Sequence, residues 1–202
     1  MITAQDKILH VASKLGLSSL QNMQASTGAV YDVDTDISGQ IFSNAARHLN
    51  PSITNINENQ FEVNEALLVE TIAFYVQDAS GNTQNFQTVF GSSAVIVFDL
   101  IIGNKRVMKD TPVFGAGSPF TFANTANISK IAGENIIQTF LPRHQIYMEG
   151  AGILIPPQVQ WSVNYTIFNA RTGAVITPVT ETGVLGCYLF GTKVLLNFNT
   201  TI

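Results

Sequence analysis

The sequence contains few charged side chains. Asp, Glu, Lys and Arg make up only 12% of its 202 residues, against about 25% in ordinary soluble domains. Hydrophobic residues make up 46%, so the surface must consist mainly of uncharged polar groups and apolar atoms. Charge normally keeps free monomers apart, and a surface of this kind is more often covered by neighbouring subunits than left in water. The composition therefore predicts self-association.

Positive charge and cysteine are also scarce. The formal net charge is -4, which gives no electrostatic basis for binding nucleic-acid phosphates. The one basic cluster, Lys105, Arg106 and Lys109, is interpreted as a solvated turn or an edge strand, because lysines at a sheet edge oppose unwanted strand pairing. The single cysteine, Cys187, excludes an internal disulfide and fits a reducing compartment. It lies in an apolar run, where we expect a small buried core residue.

No apolar run is long enough to indicate a membrane span, which needs about 18 residues without polar interruption. A secretory signal is not expected either, because Asp6, Lys7 and Lys14 interrupt the place where its apolar region would lie. We therefore expect the protein to be made and folded in a cytoplasm.

The sequence lacks the usual patterns of catalytic and cofactor-binding residues. The three histidines, His10, His48 and His144, are isolated, whereas cupin enzymes hold a metal through a His-x-His pair on one strand. There is no Gly-x-Ser-x-Gly elbow. The sequence therefore predicts no catalytic and no cofactor-binding residues, and a cupin-like enzyme is the third choice among the functions considered.

Three carboxylates at alternate positions form the one candidate metal site. Asp32, Asp34 and Asp36 would lie on one side of an extended strand, where their mutual repulsion is unfavourable without a cation or a basic partner. The spacing is similar to that of an EF-hand loop, but the required glycine and closing glutamate are missing. The pattern favours a solvated acidic segment and keeps calcium as the alternative.

The second half of the chain consists of strand-like apolar runs separated by Gly, Asn, Pro and Thr. The longest predicted strands are 67–77, 94–102, 158–168 and 184–198, with shorter ones at 136–141, 145–148, 153–155 and 175–179. The strand 94–102 ends at Gly103-Asn104, a turn signal that predicts a hairpin return through Arg106, Val107 and Met108. About eight strands with long, unequal connections favour a Greek-key sandwich over an up-and-down barrel. The predicted fold is all-β, an antiparallel jelly-roll β-sandwich over residues 61–202, preceded by a helix and an irregular arm over residues 1–60.

Residues 3–16 are predicted to form a short amphipathic helix. Thr3 is the expected N-cap, Asp6 completes a capping box, and Gly16 ends the helix. The apolar side chains Ile8, Leu9, Ala12 and Leu15 share one face. A helix this short needs its apolar face covered by the domain or by another subunit, and we expect these four residues to make a subunit contact.

A helical or irregular arm followed by a low-charge sandwich resembles the single jelly-roll coat proteins of small icosahedral viruses, including tailless phages. The segment Ile153 to Trp161, in which Pro156-Pro157 precedes an alternating strand, also fits. The resemblance implies a structural virion protein whose sandwich tiles a shell, whose arm ties neighbours together, and whose partners are copies of itself and other virion proteins. The arm departs from many RNA-packaging coat proteins because it is not Arg-rich, so direct genome binding is not expected.

A virion fibre or a receptor- or carbohydrate-binding module is the alternative, since it would use the same sandwich. In that case Trp161, Tyr147 or Tyr165 would stack on a sugar. Trp161 lies on the apolar face of its predicted strand, which favours a place in the core.

Overall fold

The computed structural model describes residues 3–17, 23–42, 53–56, 58–77, 83–84, 86–113, 130–131, 134–135, 145–147, 152–178 and 183–196. The helices are α1 (Ala4–Leu15) and α2 (Phe86–Phe90). The strands are β1 (Gln24–Val33), β2 (Gln40–Ile41), β3 (Glu65–Gln77), β4 (Thr83–Gln84), β5 (Ala94–Ile102), β6 (Lys105–Val113), β7 (Lys130–Ile131), β8 (Glu134–Asn135), β9 (Gln145–Tyr147), β10 (Ile153–Ile155), β11 (Trp161–Asn169), β12 (Val175–Ile176) and β13 (Val184–Leu195).

Two antiparallel sheets pack face to face, and the strands β7 and β8 pair only with each other. Sheet A has the order β1-β13-β3-β10, and β4 and β9 also pair with β3. Sheet B has the order β12-β11-β5-β6, and β2 also pairs with β11. The strands β9 and β10 pair with successive parts of β3, from Ala73 back to Leu67, so they act as one interrupted strand.

The chain passes between the sheets in jelly-roll order. It runs from β1 in sheet A to β2 in sheet B, back to β3, across to the β5–β6 hairpin, back to β9 and β10, across to β11, and ends in β13 between β1 and β3. This is a double Greek key. The predicted all-β sandwich is therefore confirmed.

The core lies between the sheets and follows the strand alternation. On β11, Trp161, Val163, Tyr165 and Ile167 are buried, as their spacing predicts. Trp161 stacks on Phe61 with ring centroids 4.6 Å apart, so its predicted core position is confirmed. Cys187 is also buried in the core, and burial raises the pKa of its thiol.

The last strand is a single long one, and its partner β3 carries a bulge. The pairing of β13 with β3 shifts register between Phe190 and Gly191, where Gly191 faces Val69 and leaves Glu70 as the extra residue. A Cβ at position 191 would collide with the carbonyl oxygen of Leu68. Glycine is therefore required for the two backbones to approach this closely.

The structure differs from the sequence expectation in the N-terminal region. The expected irregular arm over 1–60 contains β1, which pairs along its whole length with β13, and β2, which pairs with β11. The first half of β1 is small and polar, with Gly28 inside it, so it carries little alternation. Pairing with β13 supplies the strand structure that the local sequence does not indicate.

Most other expectations agree with the described elements. The hairpin through Gly103-Asn104 joins β5 and β6, and the strand predicted to begin at residue 158 begins at Trp161. The predicted strand 136–141 lies outside the described residues.

Candidate assembly site

The segment that carries the chain from sheet A to sheet B is organised by Asp34. Its Oδ1 accepts hydrogen bonds from the backbone N–H of Ser38 at 3.0 Å and from the Ser38 hydroxyl at 2.9 Å. Its Oδ2 accepts from the N–H of Gly39 at 2.7 Å and from the hydroxyl of Tyr165 at 2.9 Å. Asp34 is fully buried, and four donors replace the water that its carboxylate would otherwise bind. This residue joins the end of β1 to β11 of the opposite sheet.

The other two carboxylates do not join Asp34 in a metal site. Asp32 is buried and accepts the backbone N–H of Phe42 at 2.8 Å, while Asp36 is exposed. The expected extended strand ends at Val33 and a turn follows, so the three side chains do not share one strand face. Within the described ranges, no three His, Cys, Asp or Glu side chains lie close enough to hold a metal ion. The acidic segment is a structural loop in which two of the three carboxylates are buried.

Helix α1 begins and ends as its sequence predicts. Thr3 Oγ1 accepts the N–H of Asp6 at 3.2 Å, and the N–H of Thr3 donates to Asp6 Oδ2 at 2.8 Å. The Thr3 hydroxyl also donates to Asp6 Oδ2 at 2.7 Å, and this bond, followed by the one from the Thr3 N–H, lowers the pKa of the Asp6 carboxyl. Gly16 ends the helix in the left-handed conformation.

The helix packs on the outer face of sheet A of its own chain. Val11 is buried there in a cluster with Ala66, Leu68 and Val194 of the sheet and Leu196, which directly follows β13. Full burial of a valine side chain contributes about 1.5 to 3 kcal/mol. A helix of 12 residues is marginal alone in water, so this packing is what stabilises it.

A polar contact fixes the helix beside this cluster. Lys7 Nζ lies 2.6 Å from Glu70 Oε1 and donates to Thr192 Oγ1 at 3.2 Å. The hydroxyl of Thr192 donates to the same Glu70 oxygen at 2.7 Å. Glu70 is the extra residue of the bulge in β3. The bulge therefore supplies the carboxylate that pairs with Lys7 of the helix.

The four helix residues predicted to contact a subunit have different surroundings. Ala12 is buried within its own chain, and Leu15 is partly buried against the cluster of Val11. These two residues therefore pack within their own chain, and the subunit contact expected for them stays a prediction. Ile8 is half-buried, and Leu9 is 45% exposed. A subunit contact of Leu9 stays a prediction.

Strand β1 is an edge strand, and its second half is covered by one short segment. Asn55 Oδ1 accepts the N–H of Tyr31 at 2.8 Å, and Asn55 Nδ2 donates to the carbonyl of Ala29 at 2.8 Å. The backbone N–H of Asn55 and the hydroxyl of Thr54 both donate to the carbonyl of Tyr31. Asn55 therefore occupies the place of a neighbouring strand along these residues.

The first half of β1 has no such cover. Backbone groups of alternate residues face the same side of a strand, so Ala25 and Thr27 face the same side as Ala29 and Tyr31, away from β13. Within the described part of the chain, no strand pairs with this side of β1. We call the segment Gln24–Ala29 the β1 edge. It contains neither a charged residue nor a proline.

The edge of sheet B that β6 forms differs from the β1 edge in charge. Strand β6 lies at that edge and carries Lys105, Arg106, Lys109 and Pro112, all exposed. Charges and proline on an edge strand oppose pairing with another chain. The interpretation of the basic cluster as part of an edge strand is confirmed.

A polar cavity of about 330 Å³ opens beside the β1 edge. A single ion pair, Lys193 Nζ to Glu65 Oε1 at 2.9 Å, lies in its wall. The remaining polar side chains that line it are Asn55, Glu58, Gln60, Glu62 and Gln158. Its volume is at the lower end of the range of small-molecule sites.

The outer face of sheet A carries a tyrosine cluster at the end opposite α1. The ring of Tyr188 lies 5.1 Å from that of Tyr31 and 4.9 Å from that of Tyr75. Burial, followed by the neighbouring Tyr188, raises the pKa of Tyr75, and burial also raises the pKa of Tyr188. The Tyr75 ring occupies space that a side chain at Gly186 would fill.

Two of the three aromatic residues considered for sugar stacking are in the core. Trp161 and Tyr165 are buried, and the Tyr165 hydroxyl is held by Asp34. The side chain of Tyr147 lies outside what the structure describes, as do His48 and His144. Sequence reasoning missed Asn55 and the β1 edge; the lack of charge and proline from Gln24 to Ala29 is the one signal that points to the edge.

No protein-family model matches the sequence, and no similar curated protein or solved structure was found. None of the helices in the described part of the chain is both long and apolar enough to cross a bilayer.

Proposed function

We propose that the protein is a structural virion protein, a jelly-roll capsid or capsid-associated subunit that assembles through its sandwich and its N-terminal helix. Its partners are copies of itself and other virion proteins, and its place is the virion after synthesis in a host cytoplasm. The proposal is for a structural role and not for an enzyme.

The observation that carries the proposal is the combination of a jelly-roll strand order with an uncharged, uncovered edge strand. Natural sheet proteins usually protect such edges, and here the β6 edge of sheet B is protected by charge and proline while the β1 edge of sheet A is not. Only 12% of the residues are charged, which favours burial of the outer surface between subunits. The resemblance in outline to single jelly-roll coat proteins points in the same direction.

Size-exclusion chromatography with light scattering and negative-stain electron microscopy of the full chain test the proposal. We expect a large closed assembly or a stable multimer that takes part in one. A chain that stays monomeric up to its solubility limit, alone and with other proteins of the same virion, contradicts the proposal.

The role of helix α1 can be tested by a matched pair of variants. Leu9→Gln replaces an apolar side chain that is 45% exposed on the helix, and Leu17→Gln replaces one that is 37% exposed beyond its end. If Leu9 contacts a subunit, L9Q weakens assembly and L17Q does not. Equal assembly of both variants and the unaltered chain removes α1 from the proposed interface. Deleting residues 1–50 would not test the helix alone, because the deletion also removes β1 and β2.

The cavity beside the β1 edge favours one second candidate, a receptor- or carbohydrate-binding sandwich on a virion fibre. Its amide and carboxylate side chains offer the hydrogen-bonding groups that a sugar hydroxyl needs. A glycan array followed by calorimetry with Gln158→Ala tests this. A trimer that binds a glycan, with binding lost in Q158A, supports the fibre; absence of glycan binding contradicts it.

A further inference from the structure

We propose that β1 is the contact between two copies of this chain, and that the two strands pair antiparallel about a two-fold axis at Ser26. This inference rests on the proposed self-assembly and adds its partner and register. In this arrangement Ala25 of each strand lies opposite Thr27 of the other.

The argument begins with the backbone groups that face away from β13. Ala29 and Tyr31 use their groups on this side to bind Asn55, as described above. Among the described residues, nothing binds the N–H and C=O of Ala25 and Thr27 on that side, or the N–H of Ala29. Unpaired backbone N–H and C=O groups along an edge strand form a template on which another strand can pair.

The register follows from which groups are free. Pairing Ala25 with Thr27 of the other copy, and Thr27 with its Ala25, makes four N–H···O bonds from groups that are all available. A shift that pairs Ala25 with Ala29 requires the Ala29 carbonyl, which Asn55 Nδ2 already occupies at 2.8 Å. The position of Asn55 therefore excludes an axis at Thr27 and limits the ladder to the segment before Ala29. Because β1 begins at Gln24, an axis at Ser26 is the register that pairs both Ala25 and Thr27 without using a residue outside the strand.

The side chains favour an identical partner. In a two-fold contact each charge meets the same charge close by, and like charges opposite each other in a ladder are unfavourable. The β1 edge has no charge to repel its copy, whereas β6 at the edge of sheet B carries three cations. A second copy thus fits β1 and is opposed at β6.

The axis at Ser26 makes a direct test possible. Ser26 and its copy form a non-hydrogen-bonded pair, in which Cα atoms lie about 4.5 Å apart, within the range that a disulfide spans. Ser26 is exposed and Cys187 is buried. We expect the full-length Ser26→Cys variant to form a disulfide-linked dimer on mild oxidation, read on non-reducing gels and by mass spectrometry. Thr172→Cys, exposed in the turn after β11, is the control and should give no dimer above background.

A second variant tests the same contact without a new thiol. Thr27→Lys places a cation on the β1 edge of both copies and should weaken dimerisation at least about tenfold in sedimentation velocity. Thr27→Val, which keeps a β-branched side chain, should leave the dimer unchanged.

The outcomes separate this inference from the proposed function. If the chain assembles but S26C does not cross-link and T27K dimerises normally, the β1 contact is wrong and self-assembly stands. If the chain is a monomer at every concentration, both are wrong. Cross-linking of S26C together with weakening by T27K supports the β1 contact.

Discussion

Two of the edge strands, β1 of sheet A and β6 of sheet B, have opposite chemistry. Strand β6 carries Lys105, Arg106, Lys109 and Pro112, and its pairing with β5 is interrupted by two register shifts. Strand β1 pairs with β13 in unbroken register and has neither charge nor proline between Gln24 and Ala29. Charges, proline and bulges each oppose the addition of another strand. The β6 edge is therefore closed to partners, and the β1 edge is open over half of its length.

The difference also lies within β1 itself. Its second half is held by Asn55 at Ala29 and Tyr31 and by Asp34 just beyond its end. Its first half pairs, among the described strands, with β13 only, and Ala25 packs against the cluster of Val11. When two copies pair about a two-fold axis through the first half of β1, each copy covers the β1 edge of the other, and no free β1 edge remains for a third copy. Such a contact ends in a dimer and does not propagate into a fibre.

The largest expected effect comes from releasing the end of β1. Asp34→Ala leaves the N–H groups of Ser38 and Gly39 and the Tyr165 hydroxyl without their acceptor, and each unsatisfied buried group costs about 1 to 3 kcal/mol. We expect the free energy of unfolding to fall by about 3 to 5 kcal/mol in urea denaturation. The control is Asp36→Ala in the same loop, exposed and expected to cost less than about 1 kcal/mol. Equal losses in both variants contradict the role assigned to Asp34.

Alkaline pH should release the same half of β1. Burial, followed by the charge of Asp34, raises the pKa of Tyr165, and burial raises that of Tyr75. An unfolded tyrosine has a pKa of about 10, so above that pH the unfolded chain loses protons that the folded chain keeps. The free energy of unfolding contributed by each tyrosine is complete below about pH 10 and falls above it by at most about 1.4 kcal/mol per pH unit.

Urea unfolding between about pH 8 and about pH 11, with tyrosinate absorbance followed in parallel, measures this fall. Tyr75→Phe removes one ionising group and should make the decline less steep. A stability that is unchanged above pH 10, or tyrosines that ionise before the chain unfolds, would show that these phenols are not protected by the fold.

Removing the Asn55 side chain should free the carbonyl of Ala29 on the outer side of β1. Asn55→Ala abolishes the side-chain hydrogen bonds to Ala29 and Tyr31, and we expect a loss of about 1 to 3 kcal/mol in the free energy of unfolding. Asn59→Ala in the following segment serves as the control for general loop changes, because only the Asn59 backbone carbonyl has a described bond, to Trp161. With the Ala29 carbonyl free, the dimer register should no longer be limited to Ser26, so disulfide formation by S26C should decrease in the N55A background. Unchanged cross-linking in that background means that Asn55 does not select the register.

The smallest effect on stability is expected when β6 is made similar to β1. The combined change Lys105→Thr, Lys109→Thr and Pro112→Val removes exposed groups, so the free energy of unfolding should change by less than about 0.5 kcal/mol per site. It should nevertheless create a second association site, detected in the Thr27→Lys background as new concentration-dependent association. Lys14→Thr with Arg171→Thr removes two cations elsewhere and should add no association to that background. If the β6 variant adds none either, charge and proline are not what protects this edge.

Much of the fold was predictable because its signals are local. The alternation from Trp161 to Ile167, the turn at Gly103-Asn104 and the capping box of Thr3 and Asp6 depend on neighbouring residues. Strand β1 was not predictable in this way, because Gly28 and small polar residues give its first half no period. Its structure depends on β13, more than 150 positions further along the chain.

The candidate site was less predictable than the fold. Asp32, Asp34 and Asp36 attracted attention because of their spacing, but the role of Asp34 depends on Tyr165, 131 positions away. Helix α1 was correctly placed, yet which of its apolar residues meet the domain depends on where sheet A lies beneath it. Asn55 has no local signal, because an asparagine that replaces a strand is indistinguishable in sequence from one in a loop.

By itself, the sequence determined which segments are apolar on one face, where the helix begins and ends, and how little charge there is to keep copies apart. Only the tertiary structure decided which strands lie at the edges, which carboxylates are buried and hydrogen-bonded within the chain, and that Gln24–Ala29 is not covered by another described strand. The reason is that hydrophobic periodicity and capping act between near neighbours, whereas backbone hydrogen bonds between strands join residues whose distance along the chain bears no relation to their distance in space.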